Sequence, residues 1–280
     1  MRHTELAWHT HDGLLLSAQL WEPENRPSGV VCLLHGLGEH CARYQHVAAA
    51  FTEDGYALLG FDLRGHGKSA GPRGHSPSFE ALLSDVDILL SEAAQRFPEL
   101  PLFLYGHSLG AILAINYVLR RRPQLAGVVA TGAAFRSSLQ EQTAKLALVR
   151  TLGAVWPSLA LPSGLQPPDL SRDPEVVRAY VDDPLVHDRL TLGLARSLLQ
   201  AVPWTFEHMH QFALPLLLMH GGLDRLGYPT GTQECGCLVR GDCTVKIWDG
   251  LFHEIHNEPE QTQVLGVITA WLHAHTPHPV

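Results

Sequence analysis

The sequence has few charged residues and no long apolar run. Charged residues make up 17% of its 280 residues, and the formal net charge at pH 7 is −8. Nucleic-acid surfaces need clustered positive charge, so this balance disfavours nucleic acid as a partner. No apolar run approaches the ~18 residues of a membrane span, and Met1 to Asp12 is too polar for a secretory signal. We therefore expect a cytoplasmic protein, with loose peripheral attachment to membranes left open.

Metal-binding patterns are also missing. The five cysteines include Cys235, Cys237 and Cys243, but the Cys-x-Cys spacing is not the Cys-x-x-Cys that closes most tetrahedral zinc sites. In His253-Glu254-Ile255-His256 the histidines are three positions apart, whereas the metalloprotease pattern His-Glu-x-x-His needs four. The sequence therefore predicts reduced thiols, no metal and no organic cofactor.

One stretch imitates the end of a phosphate-binding loop. Gly67-Lys68-Ser69 matches the last three residues of that motif, but Asp62 occupies the position of its first glycine. We interpret this stretch as a structured turn held by Asp62 and Arg64 rather than as a nucleotide site.

The chain is organised around a strand, a sharp turn and a helix. The apolar residues 102–105 run into Gly106-His107-Ser108-Leu109-Gly110, and helix-like residues 111–119 follow. A serine at the tip of such a turn adopts strained backbone angles, and its small neighbours let the strand and the helix approach each other. This context favours Ser108 as a nucleophile over an ordinary turn.

Strand-like and helix-like segments alternate through most of the chain. An Asp-Gly turn at 12–13 joins two strand-like segments in an N-terminal hairpin, and continuous apolar runs such as Val30–Leu34 are typical of strands buried on both faces. Such alternation predicts an α/β fold with a mostly parallel central sheet.

The alternation stops between Ala133 and about Pro203. This segment is rich in proline and contains helical stretches such as Gln140 to Trp156, which carries a wide apolar band. We predict an inserted helical cap at residues 133–205, between a first core part at 1–132 and a second at 206–280. A free apolar face on this cap would bind an apolar substrate or make transient contact with a lipid surface. Burial of the band against the core explains most of its residues equally well.

Three side chains follow strands in the order of a hydrolase triad. Functional groups collect at the carboxyl ends of parallel strands, where Ser108, Asp224 and His253 are expected to lie. A serine hydroxyl needs an imidazole to accept its proton and a carboxylate to orient that imidazole. His256 and Asp249 are rivals, but His256 lies further into the terminal helix and Asp249 lies beside the last strand.

Two backbone N–H groups are candidates for an oxyanion hole. Leu109 directly follows the nucleophile, and Leu37 lies between glycines in the loop after the strand Val30–Leu34. Glycines on either side free the backbone of Leu37 to point inward.

Several motifs together resemble the monoacylglycerol lipase and lysophospholipase-like group of α/β-hydrolases. The resemblance spans nearly the whole chain and implies the triad Ser108, Asp224 and His253 with Leu37 and Leu109 in the oxyanion hole. Ala111 and Leu109 stand where the group often has glycine and methionine. The matching segments are His35–His40, Phe61–Ser69, Gly74–Phe79, Gly106–Gly110, Ser171–Val176, Asp182–Leu185, His220–Arg225 and His253–Glu254.

This resemblance implies a serine hydrolase that cleaves fatty acyl esters through an acyl-enzyme, with monoacylglycerol as the expected substrate. A general carboxylesterase or a lysophospholipase is the alternative enzyme. A catalytically silent α/β-hydrolase domain that binds a lipid or a protein is the alternative from another class.

Overall fold

A computed structural model describes residues 1–137 and 143–277 of the chain. The main elements before the inserted segment are β1 (Arg2–His9), β2 (Leu15–Glu22), β3 (Gly29–Leu34), α1 (Gln45–Glu53), β4 (Tyr56–Phe61), α2 (Phe79–Arg96), β5 (Leu102–His107), α3 (Leu109–Arg121) and β6 (Gly127–Thr131). The later elements are α4 (Thr143–Val155), β7 (Ala160–Pro162), α5 (Pro174–Asp182), β8 (Arg189–Thr191), α6 (Leu192–His208), β9 (Leu216–Gly221), α7 (Pro229–Leu238), β10 (Cys243–Trp248) and α8 (Gln261–His275).

The described residues form a sheet of eight strands in the order β1-β2-β4-β3-β5-β6-β9-β10. β1 and β2 form the N-terminal hairpin and pair antiparallel, as do β2 and β4, and every later neighbour pairs parallel. The predicted α/β fold with a mostly parallel sheet and an N-terminal hairpin is therefore confirmed.

Burial on both faces of the sheet explains the apolar runs. Every residue of β3 and β4 is buried, which is why these strands do not alternate with polar residues. One face is covered by α1 and α8, while α2, α3 and α7 cover the other. This layering leaves the carboxyl ends of the strands as the place where loops can form a site.

The turn that imitates a phosphate loop has a structural role. The Asp62 carboxylate accepts hydrogen bonds from the backbone N–H groups of Cys41 and Lys68, each at 2.8 Å. Arg64 donates two hydrogen bonds to the buried Asp85 at 2.6 and 2.7 Å, and it also pairs with Asp12. The backbone and charges of this turn are thus satisfied within the protein.

The segment between β6 and β9 contains α4, α5, α6 and a separate two-stranded sheet of β7 and β8. The predicted helix start at Gln140 lies outside the described residues, and the described helix α4 ends at Val155. The predicted end of the cap at residue 205 falls within α6. No described helix has the length and apolarity needed to cross a bilayer.

Candidate active site

The turn between β5 and α3 holds Ser108 in a strained conformation. Its φ of 54° and ψ of −113° lie where residues with a side chain rarely occur. Glycines at both flanks make the turn possible: a Cβ at Gly106 would lie 2.3 Å from the Gly110 oxygen, and one at Gly110 would lie 2.0 Å from the Leu34 oxygen. The local sequence therefore presents the Ser108 hydroxyl at the end of the central strand.

Ser108, His253 and Asp224 are joined by two hydrogen bonds. The Ser108 Oγ lies 2.9 Å from His253 Nε2, and His253 Nδ1 lies 2.6 Å from Asp224 Oδ2. Because an ionised carboxylate only accepts, we assign the proton to Nδ1, which leaves Nε2 free to accept the serine proton. The structure brings together the three residues that the sequence order predicts.

Asp224 is held by four donors. Its Oδ2 also accepts from His220 Nε2 at 2.8 Å, and its Oδ1 accepts from the backbone N–H groups of Leu226 and Gly227 at 2.8 and 2.9 Å. Burial alone would raise the pKa of Asp224, but the charge and hydrogen bond of His253 and the bond from His220 outweigh burial, so the pKa falls well below its usual range. Asp224 is therefore a fixed anion.

That anion sets the protonation of His253. Burial lowers the pKa of an imidazole, yet the nearby charge of Asp224 and the hydrogen bond to it raise the pKa of His253 above its ordinary value. A base with a raised pKa binds the serine proton more strongly.

The two predicted oxyanion donors border the same cavity as Ser108. Leu37 and Leu109 line a cavity of about 550 Å³ together with Ser108. Neither backbone N–H has a hydrogen-bond partner among the described residues, which leaves both free for a ligand. Gly38, next to Leu37, has φ of 81° and a missing Cβ that would lie 2.4 Å from the His187 oxygen, so only glycine fits there.

The cavity is otherwise mainly apolar. Besides the groups above, its walls are formed largely by aliphatic and aromatic side chains of α3 and of the segment between β6 and β9. Such a lining binds hydrocarbon and excludes water from the reacting centre. The residues lining it are Ile112, Ala134, Arg136, Ser137, Leu146, Leu190, Ala195, Leu198, Leu199, Val202, Pro203 and Phe206.

A buried charge network connects the loops on either side of the site. Arg43 donates to Glu39 at 2.6 Å and to both oxygens of Glu254 at 2.7 Å. Glu39 in turn accepts the Gly36 backbone N–H at 2.6 Å, beside Leu37, and Glu254 directly follows His253. The network therefore links the loop of the candidate oxyanion hole to the loop of the candidate base.

The charges in this network are unevenly shared. Burial raises the pKa of Glu39, and the neighbouring Glu254 adds to that effect. Burial also opposes ionisation of Glu254, but Arg43, which contacts both of its oxygens, outweighs burial and lowers the pKa of Glu254 well below its usual range. Arg43 therefore favours the ionised form of Glu254 more than that of Glu39.

The sequence rivals of the triad lie elsewhere. His256 is fully buried, stacks on Tyr44 and packs edge-on against His107, and burial lowers its pKa to about 3, so it stays neutral. Neither of its ring nitrogens has a partner among the described residues. Asp249 is exposed beside the last strand. Neither residue makes the contacts that a triad member needs.

Glu39, His107 and Glu254 bring possible metal ligands within 4.8 Å of one another, among the residues that the structure describes. Both carboxylates are already bound by Arg43, whose fixed positive charge opposes a cation. This donor set does not fit a metal, and the chemistry available at the site is nucleophilic attack by serine.

The segment between β6 and β9 contacts the loops that carry Leu37 and His253. The Glu254 backbone N–H donates to the Leu170 oxygen at 2.8 Å, and the Ser171 hydroxyl donates to the Asn257 oxygen at 2.9 Å. His40 bonds Asp183 at 2.8 Å on the other side. Ser171 and Asp183, both in the matching motif segments, are therefore among the points where this segment attaches to the core.

Sequence reasoning assigned no role to His220 or to Arg43. His220 is the last residue but one of β9 and lies four residues before Asp224, and this spacing is the one signal that could have identified it. Arg43 and Glu254 are 211 positions apart, and no local pattern connects them.

Fold and geometry together define an α/β-hydrolase of the serine hydrolase class. Residues 25–260 match the family described as serine aminopeptidase, S33. The match covers most of the chain, and the chain belongs to this family.

Several relatives carry lipase names. A monoacylglycerol lipase of Mycolicibacterium smegmatis is 35% identical over 268 residues, which cover 94% of each chain. An uncharacterised abhydrolase domain-containing protein of Dictyostelium discoideum is 36% identical over 266 residues, and the chain spans only 28% of that protein's length. A crystal structure of Paleococcus ferrophilus monoacylglycerol lipase has a TM-score of 0.86 at 33% identity, covering 93% of this chain and 99% of that one. The resemblance predicted from the motifs is confirmed.

Proposed function

We propose that the protein hydrolyses monoacylglycerols to glycerol and free fatty acid, with Ser108, His253 and Asp224 as its catalytic triad. The observation that carries this proposal is the continuous chain of hydrogen bonds from Ser108 through His253 to Asp224 at the mouth of an apolar cavity. The names and the high coverage of the relatives support the substrate class.

The reaction begins with attack of Ser108 Oγ on the ester carbonyl. His253 Nε2 takes the hydroxyl proton, and Asp224 stabilises the imidazolium that forms. The tetrahedral oxyanion accepts from the N–H groups of Leu37 and Leu109, each worth about 2.7–4 kcal/mol in the transition state. His253 then donates its proton to the departing glycerol oxygen, which leaves the acyl group on Ser108.

Water completes the cycle. His253 removes a proton from the water as it attacks the acyl carbonyl, and the same N–H groups hold the second oxyanion. Collapse of this intermediate breaks the bond to Ser108, whose oxygen recovers its proton from His253. The fatty acid then leaves the cavity, and every atom of the reaction comes from the ester and one water molecule.

A substrate panel tests this proposal. Monoacylglycerols, lysophospholipids and short-chain esters are compared at equal concentration, with Ser108→Ala as the inactive control. We expect the highest kcat/KM for monoacylglycerol and no turnover above background in the variant. Preference for lysophospholipid would reassign the substrate, and turnover by Ser108→Ala would refute the catalytic assignment.

The exposed end of α4 supports contact with lipid. Val155 and Trp156 are 83% and 61% exposed, and Leu152 is also exposed. Exposed aromatic and aliphatic side chains at one helix end are typical of a surface that rests on a lipid interface. We place the enzyme in the cytoplasm, in keeping with its buried free thiols Cys32 and Cys41, with transient contact between this helix end and membranes.

Binding to vesicles tests the lipid contact. Trp156→Asp should reduce co-sedimentation with phosphatidylcholine vesicles, while Leu15→Asp, which alters an exposed leucine of β2 outside the segment between β6 and β9, should not. Equal sedimentation of both variants and the wild type would rule out this surface.

A further inference from the structure

A second groove shares a lining residue with the catalytic cavity. It has a volume of about 560 Å³, and it is lined by Phe206, Cys237 and Leu238 with Thr230, Gln233 and Glu234. Phe206 also lines the cavity that contains Ser108, so one aromatic side chain is a wall of both spaces. Phe206 is therefore the residue at which the groove and the catalytic cavity meet.

A small set of contacts holds Phe206 in place. The Arg136 guanidinium lies 4.9 Å from the centre of the Phe206 ring, and it donates to Glu234 on α7 at 2.6 Å. The side chains of Arg136 and Glu234 are 43% and 49% exposed, and an ion pair that exposed contributes little to stability. The Phe206 ring also packs edge-on against the buried Phe135 ring at a centroid distance of 5.7 Å, so a movement of the ring together with Arg136 must break this aromatic contact as well as the exposed ion pair.

The position of Phe206 in its helix favours movement. Pro203 lies inside α6, one turn before Phe206, and it has no N–H to complete the helical hydrogen bond with the preceding turn. In contrast, the backbone of Arg136 is held by a hydrogen bond from the Tyr228 N–H at 2.8 Å. Phe206 thus lies near the end of a helix that lacks one hydrogen bond, whereas the backbone of Arg136, whose side chain contacts the Phe206 ring, is fixed.

We propose that Phe206 is a gate and that the second groove receives the distal methylene groups of long acyl chains. This inference rests on the proposed function, because the acyl group must begin at Ser108. The tail of a chain too long for the first cavity meets the Phe206 ring, and displacing the ring opens the apolar surface of Leu238 and Cys237. Burial there favours long chains over short ones.

The test measures the ratio of kcat/KM for docosanoyl monoacylglycerol to kcat/KM for octanoyl monoacylglycerol. Leu238→Asp places a charge in the groove without altering the first cavity. We expect the ratio to fall about tenfold, the change expected from losing burial of about two methylene groups. Leu15→Asp is the matched control, because Leu15 and Leu238 are 46% and 40% exposed, and it should change the ratio by less than about twofold.

A second variant tests the gate itself. Phe206→Ala removes the wall and should raise the ratio, and adding Leu238→Asp to it should abolish that rise. Equal ratios for Leu238→Asp and Leu15→Asp, with hydrolysis still dependent on Ser108, would overturn the gate while leaving the proposed function intact. Hydrolysis independent of Ser108 would overturn both.

Discussion

Replacement of Arg43 with methionine removes the central charge of the network beneath the site. Arg43 is 10% exposed, and its partners Glu39 and Glu254 are 3% and 2% exposed. Breaking a buried pair by removing one partner costs about 3–5 kcal/mol, because the remaining charge is left uncompensated. Two carboxylates lose their partner here, so we expect a loss of stability at the upper part of this range at neutral pH.

The pH dependence of this loss identifies its cause. Without Arg43, the pKa values of Glu39 and Glu254 should both rise above the unfolded value of about 4.3, because each carboxyl is buried beside the other. Carboxyls with raised pKa values destabilise the folded state at pH values above the unfolded pKa, and the penalty disappears as pH falls below it. The variant should therefore approach the wild type in stability as the pH is lowered toward about 4.

Urea unfolding at several pH values measures the effect. Arg96→Met is the matched control, because Arg96 pairs with Glu92 at an exposed site, where a pair is worth at most about 1 kcal/mol. The reasoning would be refuted if Arg43→Met lowered the free energy of unfolding no more than Arg96→Met does, or if its effect were independent of pH. The loops of Leu37 and His253 also lose their link, so kcat should fall in the same variant.

Two further predictions concern the triad and its turn. Asp224→Asn removes the charge that raises the pKa of His253, so the midpoint at which kcat/KM rises with pH should move to lower pH. The value of kcat should also fall by about 10⁴-fold, the effect known for the equivalent change in a serine protease. A pH profile with an unmoved midpoint would contradict this assignment. Gly110→Ala places a Cβ 2.0 Å from the Leu34 oxygen, so the turn must shift and activity should be lost with a lower unfolding midpoint, as thermal melts and hydrolysis rates would reveal. Wild-type stability and rate in that variant would show that the close approach is not required.

Much of the fold could be predicted because burial leaves a clear pattern in the chain. The continuous apolar run of β3 follows from a strand covered on both faces, and the Asp-Gly turn before β2 follows from Gly13, whose φ is 83°. The candidate triad was predictable for a related reason. Its members follow the parallel strands β5, β9 and β10, so all three lie at the carboxyl edge of one sheet.

Helix α7 shows where local pattern fails. It contains Gly231 and Gly236 and has little amphipathic character, so its sequence does not predict a helix. Packing explains the second glycine, because a Cβ at Gly236 would lie 2.3 Å from Val245 Cγ2 on β10. Tertiary contact thus determines the helix against its intrinsic propensity.

The support of the site was unpredictable for another reason. Arg43 meets Glu254 across 211 positions, and a single sequence carries no signal for such a pair. The clamp of Phe206 by Arg136 and Glu234 also depends on three separate elements. Side chains that act through distant partners become visible only when the fold is known.

The central claim is that Ser108 carries the acyl group during hydrolysis. A fluorophosphonate probe followed by peptide mass spectrometry measures this directly, with His253→Ala as a variant that lacks the proposed base. We predict one adduct on the Ser108 peptide of the wild type, with labelling strongly slowed in His253→Ala and loss of monoacylglycerol hydrolysis in proportion to labelling. An adduct on another residue, or full hydrolysis after complete labelling of Ser108, would contradict the account.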